Sequence, residues 1–447
     1  MDWSPGCWRS LPIEQQPCYE DGEALGRVLT RVRALPPLVV PGEIDTLRGR
    51  LAQAGKGQAF LLQGGDCAER FADCTRTAIE AKLKILMQMS LVLTWGARMP
   101  VVRVARMAGQ YAKPRSQSTE QVNGQALPVY RGDSINDIAP HPEARRAQPE
   151  RLLEAYYRSA ATLNFARALL DGGFADLHHP DHWDLGFVRC GDQRAVYNDL
   201  IERMLDAVNF VESTGAAGNE SLRTVELFSS HEALLLPYEE ALTVSVDGRW
   251  YNLGAHMLWI GERTRQLDGA HVAYARGIEN PVGIKIGPSM TPDALLMLLE
   301  AVEPANRPGR VVLITRMGAD AAASRLPPLI AAAARAGRAE AWACDPMHGN
   351  TVTTPQGVKT RRFHQILSEL ETTFDAHQAA GSVLAGVHFE LTGDDVTECT
   401  GGPQELSDAD LSRHYQTHCD PRLNYAQSLE MAFRLAHRLR QHRLSRG

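Results

Sequence analysis

The stretch PVGIKIGPSMTPDALLMLLEAVEPANRPGRVVLITRMG, residues 281–318, decides the fold class of this chain. It contains two continuous apolar runs, at 281–288 and 310–318, each bounded by Gly, Pro or polar residues. Such runs are typical of strands that are buried on both faces. Between them, residues 291–303 place apolar side chains at helical spacing. A buried strand, a helix and a second buried strand predict a parallel sheet covered by helices.

The same alternation extends over most of the chain, from residue 56 onward. Helical patterns lie between most of the apolar runs, for example at 77–95 and 325–337. Eight strands alternating with helices predict an α/β fold of the (β/α)8 or TIM barrel type, and a doubly wound open sheet is the competing architecture. The eight expected strands are 58–65, 101–109, 224–230, 256–262, 281–288, 310–318, 340–346 and 382–390.

Two segments fall outside this alternation. Residues 1–55 are expected to form an N-terminal extension, a proline-rich arm followed by a short helix, which leaves 56–447 for the catalytic barrel. The long connection between the second and third strands contains helical patterns at 149–171 and 194–213. A connection of this length usually has its own structure and purpose, so a helical insertion is expected at about 172–193.

The C-terminal residues 425–444 form an amphipathic, basic helical pattern. A helix of this kind is expected to close the barrel, because covering a core is the ordinary use of an apolar face. A helix lying on a membrane surface is the alternative.

Composition excludes several classes of protein. The 447 residues are 44% hydrophobic, enough for a large core, and 47 Lys and Arg against 53 Asp and Glu give a net charge of −6. An acidic chain is not a general nucleic-acid binder, and no apolar run reaches the ~18 residues that span a membrane. The first residues do not resemble a secretory signal, so none is expected, and the eight scattered cysteines indicate reduced thiols. We therefore expect a soluble, cytoplasmic protein.

Chemically reactive side chains concentrate where the predicted strands end, which is where the sites of such barrels lie. Cys67, His348, Glu390 and Asp420 offer a thiolate, an imidazole and two carboxylates. A divalent ion would let these groups converge, and the mixed donors suit Mn²⁺, Fe²⁺, Co²⁺ or Zn²⁺ better than Ca²⁺ or Mg²⁺. Without a close ligand motif, the alternative that these are ordinary core and loop residues stays open.

A second group of strand-end residues is basic, although the whole chain is acidic. Local positive charge of this kind predicts a site for small anions such as phosphates and carboxylates, with a solvated charged rim as the alternative. No glycine-rich nucleotide loop accompanies it. His388 is interpreted as a core histidine. The basic residues are Arg106, Lys113, Arg115, Arg263, Lys285 and Arg316.

Eight motifs closely resemble those of the class II 3-deoxy-D-arabino-heptulosonate 7-phosphate (DAHP) synthases. The resemblance implies a (β/α)8 barrel that condenses phosphoenolpyruvate with erythrose 4-phosphate, releases phosphate and opens the shikimate pathway to the aromatic amino acids. It extends over about residues 1 to 440. The motifs are LLQGGDCAE (61–69), RMAGQYAKPRS (106–116), WIGERTRQLDGAH (259–271), GIKIGP (283–288), ITRMG (314–318), CDPMHGNT (344–351), FELTG (389–393) and CDPRLN (419–424).

The resemblance also implies roles for individual residues. The metal ligands correspond to Cys67, His348, Glu390 and Asp420, with Mn²⁺ as the first choice of ion. The erythrose 4-phosphate end corresponds to Lys113, Arg115 and Ser116. Lys113, Glu262 and Lys285 are the implied catalytic residues, Glu262 by orienting or deprotonating a water and Lys113 by donating a proton to the alkoxide. The phosphoenolpyruvate residues are Arg106, Glu262, Arg263, Lys285 and Arg316.

The extension and the insertion look like those of longer family members, which implies a homo-oligomer (a dimer or tetramer) and aromatic amino-acid effectors. Chorismate mutase is the partner on which a regulatory homologue would dock. Two other functions stay open: a secondary-metabolism homologue that makes DAHP or its amino analogue, and a catalytically silent regulatory homologue. Because Cys419 directly precedes Asp420, its thiol is expected near Cys67, where oxidation could join the two.

Overall fold

The computed structural model describes residues 3–122, 124–173 and 225–444, together with positions 202, 203 and 206. At its centre, eight parallel strands form a closed barrel in which neighbours in the chain are also neighbours in space. The predicted (β/α)8 barrel is therefore confirmed, and the open sheet is excluded. The strands are β1 (Phe60–Gly65), β2 (Val101–Arg106), β3 (Phe228–Glu232), β4 (Met257–Ile260), β5 (Val282–Ile286), β6 (Val311–Thr315), β7 (Ala341–Cys344) and β8 (Leu384–Glu390).

Ten helices of the described residues accompany the barrel, and several of them pack on its outer face. No described helix is both long enough and apolar enough to cross a membrane. The cytoplasmic location stays a prediction. The helices are α1 (Gly22–Arg33), α2 (Pro41–Gly55), α3 (Arg76–Ala97), α4 (Glu150–Asp171), α5 (Leu236–Ala241), α6 (Ala270–Gly277), α7 (Pro292–Val302), α8 (Ala319–Arg335), α9 (Phe363–Ala379) and α10 (Tyr425–Leu444).

The N-terminal extension contains two helices, α1 and α2, where the sequence predicted one short helix. Leu47, Leu51 and Ala54 of α2 pack against interior residues of the strands such as Leu61 and Val104. These apolar contacts close the amino-terminal end of the barrel. The barrel interior is therefore filled with apolar side chains at this end.

The C-terminal helix α10 covers the barrel as predicted. It lies against α3 and buries Met431, Leu435 and Leu439 in the same core cluster as Leu86 of α3. Its apolar face is therefore used within the fold, which leaves no support for the membrane-surface alternative.

Other boundaries differ from the prediction. The helix expected at 325–337 begins at Ala319, because the main-chain N–H groups of Ala321 and Ala322 both bond to the carbonyl of Gly318, so Pro327 and Pro328 lie inside it. Three hairpins, at 119–128, 243–252 and 351–361, were not predicted. Apart from residues 172 and 173, the predicted insertion at 172–193 lies outside the described residues, as does most of the helical pattern at 194–213.

Candidate metal and anion site

A cavity of about 550 Å³ opens at the carboxyl ends of the barrel strands. Ten of the twelve residues that the sequence singled out line it, and the other two, Cys67 and Glu390, are buried and contact the lining residue Lys113. The twelve residues therefore lie at one place. The ten are Arg106, Lys113, Arg115, Ser116, Glu262, Arg263, Lys285, Arg316, His348 and Asp420.

Three of the four predicted metal ligands form one cluster. The Sγ of Cys67 and a carboxylate oxygen of each of Glu390 and Asp420 all lie within 4.8 Å of one another. His348, the fourth predicted ligand, lies next to this cluster, with its Nε2 2.9 Å from Oε1 of Glu390. Adjacent strands cause the clustering: Gly65 at the end of β1 pairs with Glu390 at the end of β8, and Cys67 follows two residues later.

The ammonium group of Lys113 lies among these ligand atoms. Nζ of Lys113 is 2.7 Å from Sγ of Cys67, 3.0 Å from Oδ2 of Asp420 and 3.1 Å from Oε1 of Glu390. The resemblance implied Lys113 at the erythrose 4-phosphate end, whereas its ammonium lies at the ligand cluster. The cluster thus already stabilises a cation, and its sulfur, nitrogen and oxygen donors fit a borderline divalent ion.

The negative charges of the cluster are compensated by the positive charges around them. Burial opposes ionisation of Glu390, but His348, Lys113, Arg361 and Arg106 together hold the pKa of its carboxyl well below the usual range. Burial raises the pKa of the Cys67 thiol, and the hydrogen bond with Cys419 and the charge of Glu390 raise it further. A coordinated metal ion is the kind of charge that deprotonates such a thiol.

The predicted phosphoenolpyruvate residues are held in pairs with acidic or main-chain groups. Arg316 forms an ion pair with Glu262 and donates to the carbonyl oxygen of His348 at 2.8 Å. Lys285 forms an ion pair with Asp345. Burial lowers the pKa of Lys285 to about 8, although Asp345 opposes this change. A lysine with this pKa keeps its positive charge at neutral pH and can bind an anion.

At the opposite end, Nη2 of Arg263 donates to Oγ of Ser116 at 2.5 Å. Arg115 forms an ion pair of 3.5 Å with Glu120. The predicted erythrose 4-phosphate residues Arg115 and Ser116 therefore lie beside one predicted phosphoenolpyruvate residue. Two anionic groups could be bound side by side here.

His388 is fully buried, as the sequence predicted, but it also contacts the site. Its Nδ1 lies 2.8 Å from Oε1 of Gln63, whose Nε2 donates to Ser230. Because Oε1 can only accept, Nδ1 carries the hydrogen and Nε2 accepts from Arg106 at 2.5 Å. His388 therefore orients the guanidinium of Arg106.

Sequence reasoning missed several residues of this site, of which Glu232 and Arg361 bear most directly on its chemistry. Glu232 lines the cavity, and its Oε1 has no hydrogen-bond partner among the described residues. Burial raises the pKa of the Glu232 carboxyl, against the charges of Lys113 and Lys285. The third strand was predicted to end at residue 230, so its true last residue was not considered. Arg361, which donates to Glu390 at 2.7 Å, ends a strand of a hairpin rather than a strand of the barrel.

Cys419 lies beside Cys67, as the sequence predicted. Both thiols are free, and they share a small buried cluster with Tyr130. Oxidation of this pair stays a prediction.

Fold and site together define a class of protein, a (β/α)8 barrel whose cationic cavity adjoins a set of metal-type ligands at the carboxyl ends of its strands. A family model described as the class-II DAHP synthetase family matches residues 3–436. The chain therefore belongs to the class-II DAHP synthetase family, and it is an enzyme.

Three similar proteins are each named phospho-2-dehydro-3-deoxyheptonate aldolase. The protein of Neurospora crassa is 49% identical over 99% of this chain and 95% of its own length. The protein of Streptomyces coelicolor is 50% identical over 96% of both chains. The protein of Mycolicibacterium smegmatis is 48% identical over 96% of this chain and 93% of its own. The similarity thus covers nearly the whole of each protein.

Proposed function

We propose that this enzyme condenses phosphoenolpyruvate with erythrose 4-phosphate to give DAHP and inorganic phosphate. The observation that carries the proposal is the cavity itself, in which Arg106, Arg263, Lys285 and Arg316 adjoin the cluster of Cys67, His348, Glu390 and Asp420. With Lys113 and Arg115, the four basic residues make six cationic side chains that line the cavity and are available to contact two phosphates and a carboxylate. Family membership supports the same reaction.

Cys67, His348, Glu390 and Asp420 would hold a divalent ion, with Mn²⁺ as the first choice and Co²⁺, Fe²⁺ or Zn²⁺ as alternatives. Such an ion supplies Lewis acidity, which makes an aldehyde carbon electrophilic. Asp345 supports the imidazole, because its Oδ2 lies 2.7 Å from Nδ1 of His348 and leaves Nε2 for coordination.

The remaining chemistry is assigned to the chain's own side chains. Arg263, Lys285 and Arg316 bind the carboxylate and phosphate of phosphoenolpyruvate and so align its C3 with the aldehyde carbon. Arg115 and Ser116 bind the phosphate of erythrose 4-phosphate. Lys113 then donates a proton to the alkoxide that forms when the carbon–carbon bond is made, since its Nζ lies among the ligand atoms.

A carboxylate is needed for the second half of the reaction. Water adds to C2 and loses a proton, and the resulting hemiketal expels phosphate by breaking its C–O bond. Glu262 is the residue implied by the resemblance, but it is engaged in an ion pair with Arg316. The Oε1 of Glu232 has no partner in the described part of the chain, and its raised pKa suits a proton acceptor. We assign to Glu232 the role of accepting the proton from this water, and to Glu262 the role of orienting the water.

The homo-oligomer, the aromatic amino-acid effectors and the chorismate mutase partner belong to the same proposal, and membership of the family is what supports them. Enzyme activity measured with and without Trp, Phe and Tyr tests the effectors. Light scattering of the purified chain tests the oligomer.

The test of the reaction follows the ultraviolet absorbance of the enol of phosphoenolpyruvate. We expect its loss to require erythrose 4-phosphate, to stop when EDTA is added and to return with Mn²⁺. A loss that occurs only with an imino-erythrose donor would instead support the secondary-metabolism homologue. No loss with any of the four metals would contradict the proposal and support the silent regulatory protein.

A further inference from the structure

Two loops meet behind the cavity, and a buried carboxyl on the outer helix α9 reaches both. One loop, residues 316–318, follows β6 and carries Arg316. The other, residues 346–350, follows β7 and carries His348. The loops touch through their main chains, because a Cβ on Gly349 would lie 2.4 Å from the nitrogen of Gly318. Glu369 of α9, which is fully buried, lies against this contact.

Glu369 accepts hydrogen bonds from both loops. Its Oε1 accepts from the main-chain N–H of Met317 at 2.7 Å, and its Oε2 accepts from Nδ2 of Asn350 at 2.6 Å. The carboxyl group therefore joins the residue next to Arg316 to the loop that carries His348.

The orientation of Asn350 is fixed by two other bonds. Its Oδ1 accepts from the N–H of Ala319 at 3.0 Å, and its Nδ2 donates to the carbonyl of Pro346 at 2.8 Å. Asn350 cannot turn its amide over without losing both. Position 369 therefore has to accept on both of its side-chain atoms, which a carboxylate can do and an amide cannot.

We propose that Glu369 is a positioning residue for the anion-binding guanidinium of Arg316. Arg316 itself donates to the carbonyl of His348 at 2.8 Å, so its side chain and its backbone neighbour are both tied to the same pair of loops. When the Glu369 bonds are lost, the loops can separate and Arg316 leaves the anion. This inference rests on the proposed function, because it names phosphoenolpyruvate as the anion.

The hydrogen-bond donors of the two loops favour the ionised form of Glu369, whereas burial opposes it. Burial raises the pKa of the carboxyl to about 7, and the nearby charge of Asp345 contributes in the same direction, although the main-chain N–H groups of Gly318 and Met317 and the amide of Asn350 lower it. The double acceptor that the loops require is therefore the form present above pH 7. The described residues provide no ion pair to Glu369 that would offset the burial. The presence of a buried carboxyl here is explained by the donors on Met317, Gly318 and Asn350, whose hydrogen bonds a carboxylate can accept on both of its oxygens.

The test compares Glu369→Gln with Glu371→Gln, which makes the same change of charge on the exposed side of α9. Binding of phosphoenolpyruvate is measured by calorimetry at saturating Mn²⁺, below the unfolding temperature of both variants. We expect E369Q to bind about 10- to 100-fold more weakly, as other supporting residues do, and its KM for erythrose 4-phosphate to stay unchanged. A role in stability alone would lower the melting temperature and leave the phosphoenolpyruvate affinity of the folded protein unchanged.

A second variant tests the same hydrogen bond from its other side and can be used if E369Q does not fold. Asn350→Asp replaces the donor that faces Glu369 by an acceptor, and the same loss of affinity is expected. The double variant N350D/E369Q restores a donor opposite an acceptor, and we expect it to recover part of the affinity. Equal affinity of E369Q, N350D and E371Q overturns the inference, whereas a wild-type enzyme that forms no DAHP overturns the proposed function instead.

Discussion

The two ends of the cavity are built differently. At the ligand end, which comprises Cys67, His348, Glu390 and Asp420, the carboxylate of Glu390 is fully buried and contacts Arg106, Lys113, Arg361 and His348. At the open end, which comprises Arg115, Ser116 and Arg263, the guanidinium of Arg263 is exposed and donates to one hydroxyl.

This difference has a physical cause. The ligand end lies where β1 and β8 pair, so its backbone is fixed by the barrel and its charges have to be compensated within the protein. The open end lies on loops that water reaches, and a charge there loses little when a partner is removed. Substitutions at the ligand end should therefore alter folding and metal binding, and those at the open end only substrate affinity.

Glu390→Gln should have the largest effect. Arg106 and Arg361 would keep their charges in the barrel interior without the carboxylate that compensates them, so the free energy of unfolding should fall by about 3 kcal/mol. Urea denaturation with and without Mn²⁺ measures this loss. Because a ligand is also lost, Mn²⁺ should stabilise the wild type and not the variant.

Glu371→Gln is the matched control for this experiment, since it removes the same charge from an exposed position. If E390Q unfolded at the same urea concentration as E371Q and still gained stability from Mn²⁺, the ligand end would not be the compensated cluster that its geometry indicates.

Cys67→Ser should come next in size. A hydroxyl is a harder and weaker ligand than a thiolate, so Co²⁺ should bind at least tenfold more weakly. The sulfur-to-cobalt absorption band of the wild type should also disappear. Cys18→Ser, which changes an exposed thiol, is the control. A C67S variant that keeps its metal content and its turnover would show that Cys67 is not a ligand.

Lys285 lies between the two ends and should show its role through pH. Burial lowers its pKa to about 8 despite the charge of Asp345, so the ammonium is present below pH 8 and is lost above it. Phosphoenolpyruvate affinity should therefore weaken as the pH rises through 8. Calorimetry on both sides of that pH measures the change, and kcat/KM should follow the same group in the free enzyme.

Lys285→Met should bind phosphoenolpyruvate about 10- to 100-fold more weakly below pH 8, because a charged hydrogen bond contributes about 1.5–3 kcal/mol. The pH dependence near 8 should also disappear. Lys285→Arg keeps the positive charge, so it should retain most of the affinity and show no change in affinity near pH 8. If K285M kept the pH dependence near 8, that dependence would belong to another group.

The ligand end could be predicted from sequence because its residues follow strand ends, and strand ends of a barrel meet at one face. Glu390 and Cys67 are examples, since one ends β8 and the other follows β1. Glu232 was missed because the third strand was predicted to end at residue 230, two residues before its true end. The rule was right and the boundary was wrong.

Other contacts could not be predicted from any local pattern. Glu369 lies on an outer helix, and its partners belong to two loops that come close only when the barrel has formed. Lys113 was expected at the erythrose 4-phosphate end, but its long side chain turns back to the ligand end, where three negative or polarisable atoms compensate its charge. Side-chain direction depends on these tertiary contacts rather than on the spacing of residues along the chain.

Ser116→Ala should have the smallest effect. It tests the difference between the two ends of the cavity by a substitution at the open end. The variant removes the acceptor of Arg263, but water can replace it because Arg263 is exposed. A loss of about 0.2–1 kcal/mol corresponds to an increase of up to about fivefold in the KM of one or both substrates, with the melting temperature unchanged. Ser116→Thr keeps the hydroxyl and should behave as the wild type. If S116A instead destabilised the protein as much as E390Q does, the open end would be part of the compensated core, and the division of the cavity into two ends would have to be abandoned.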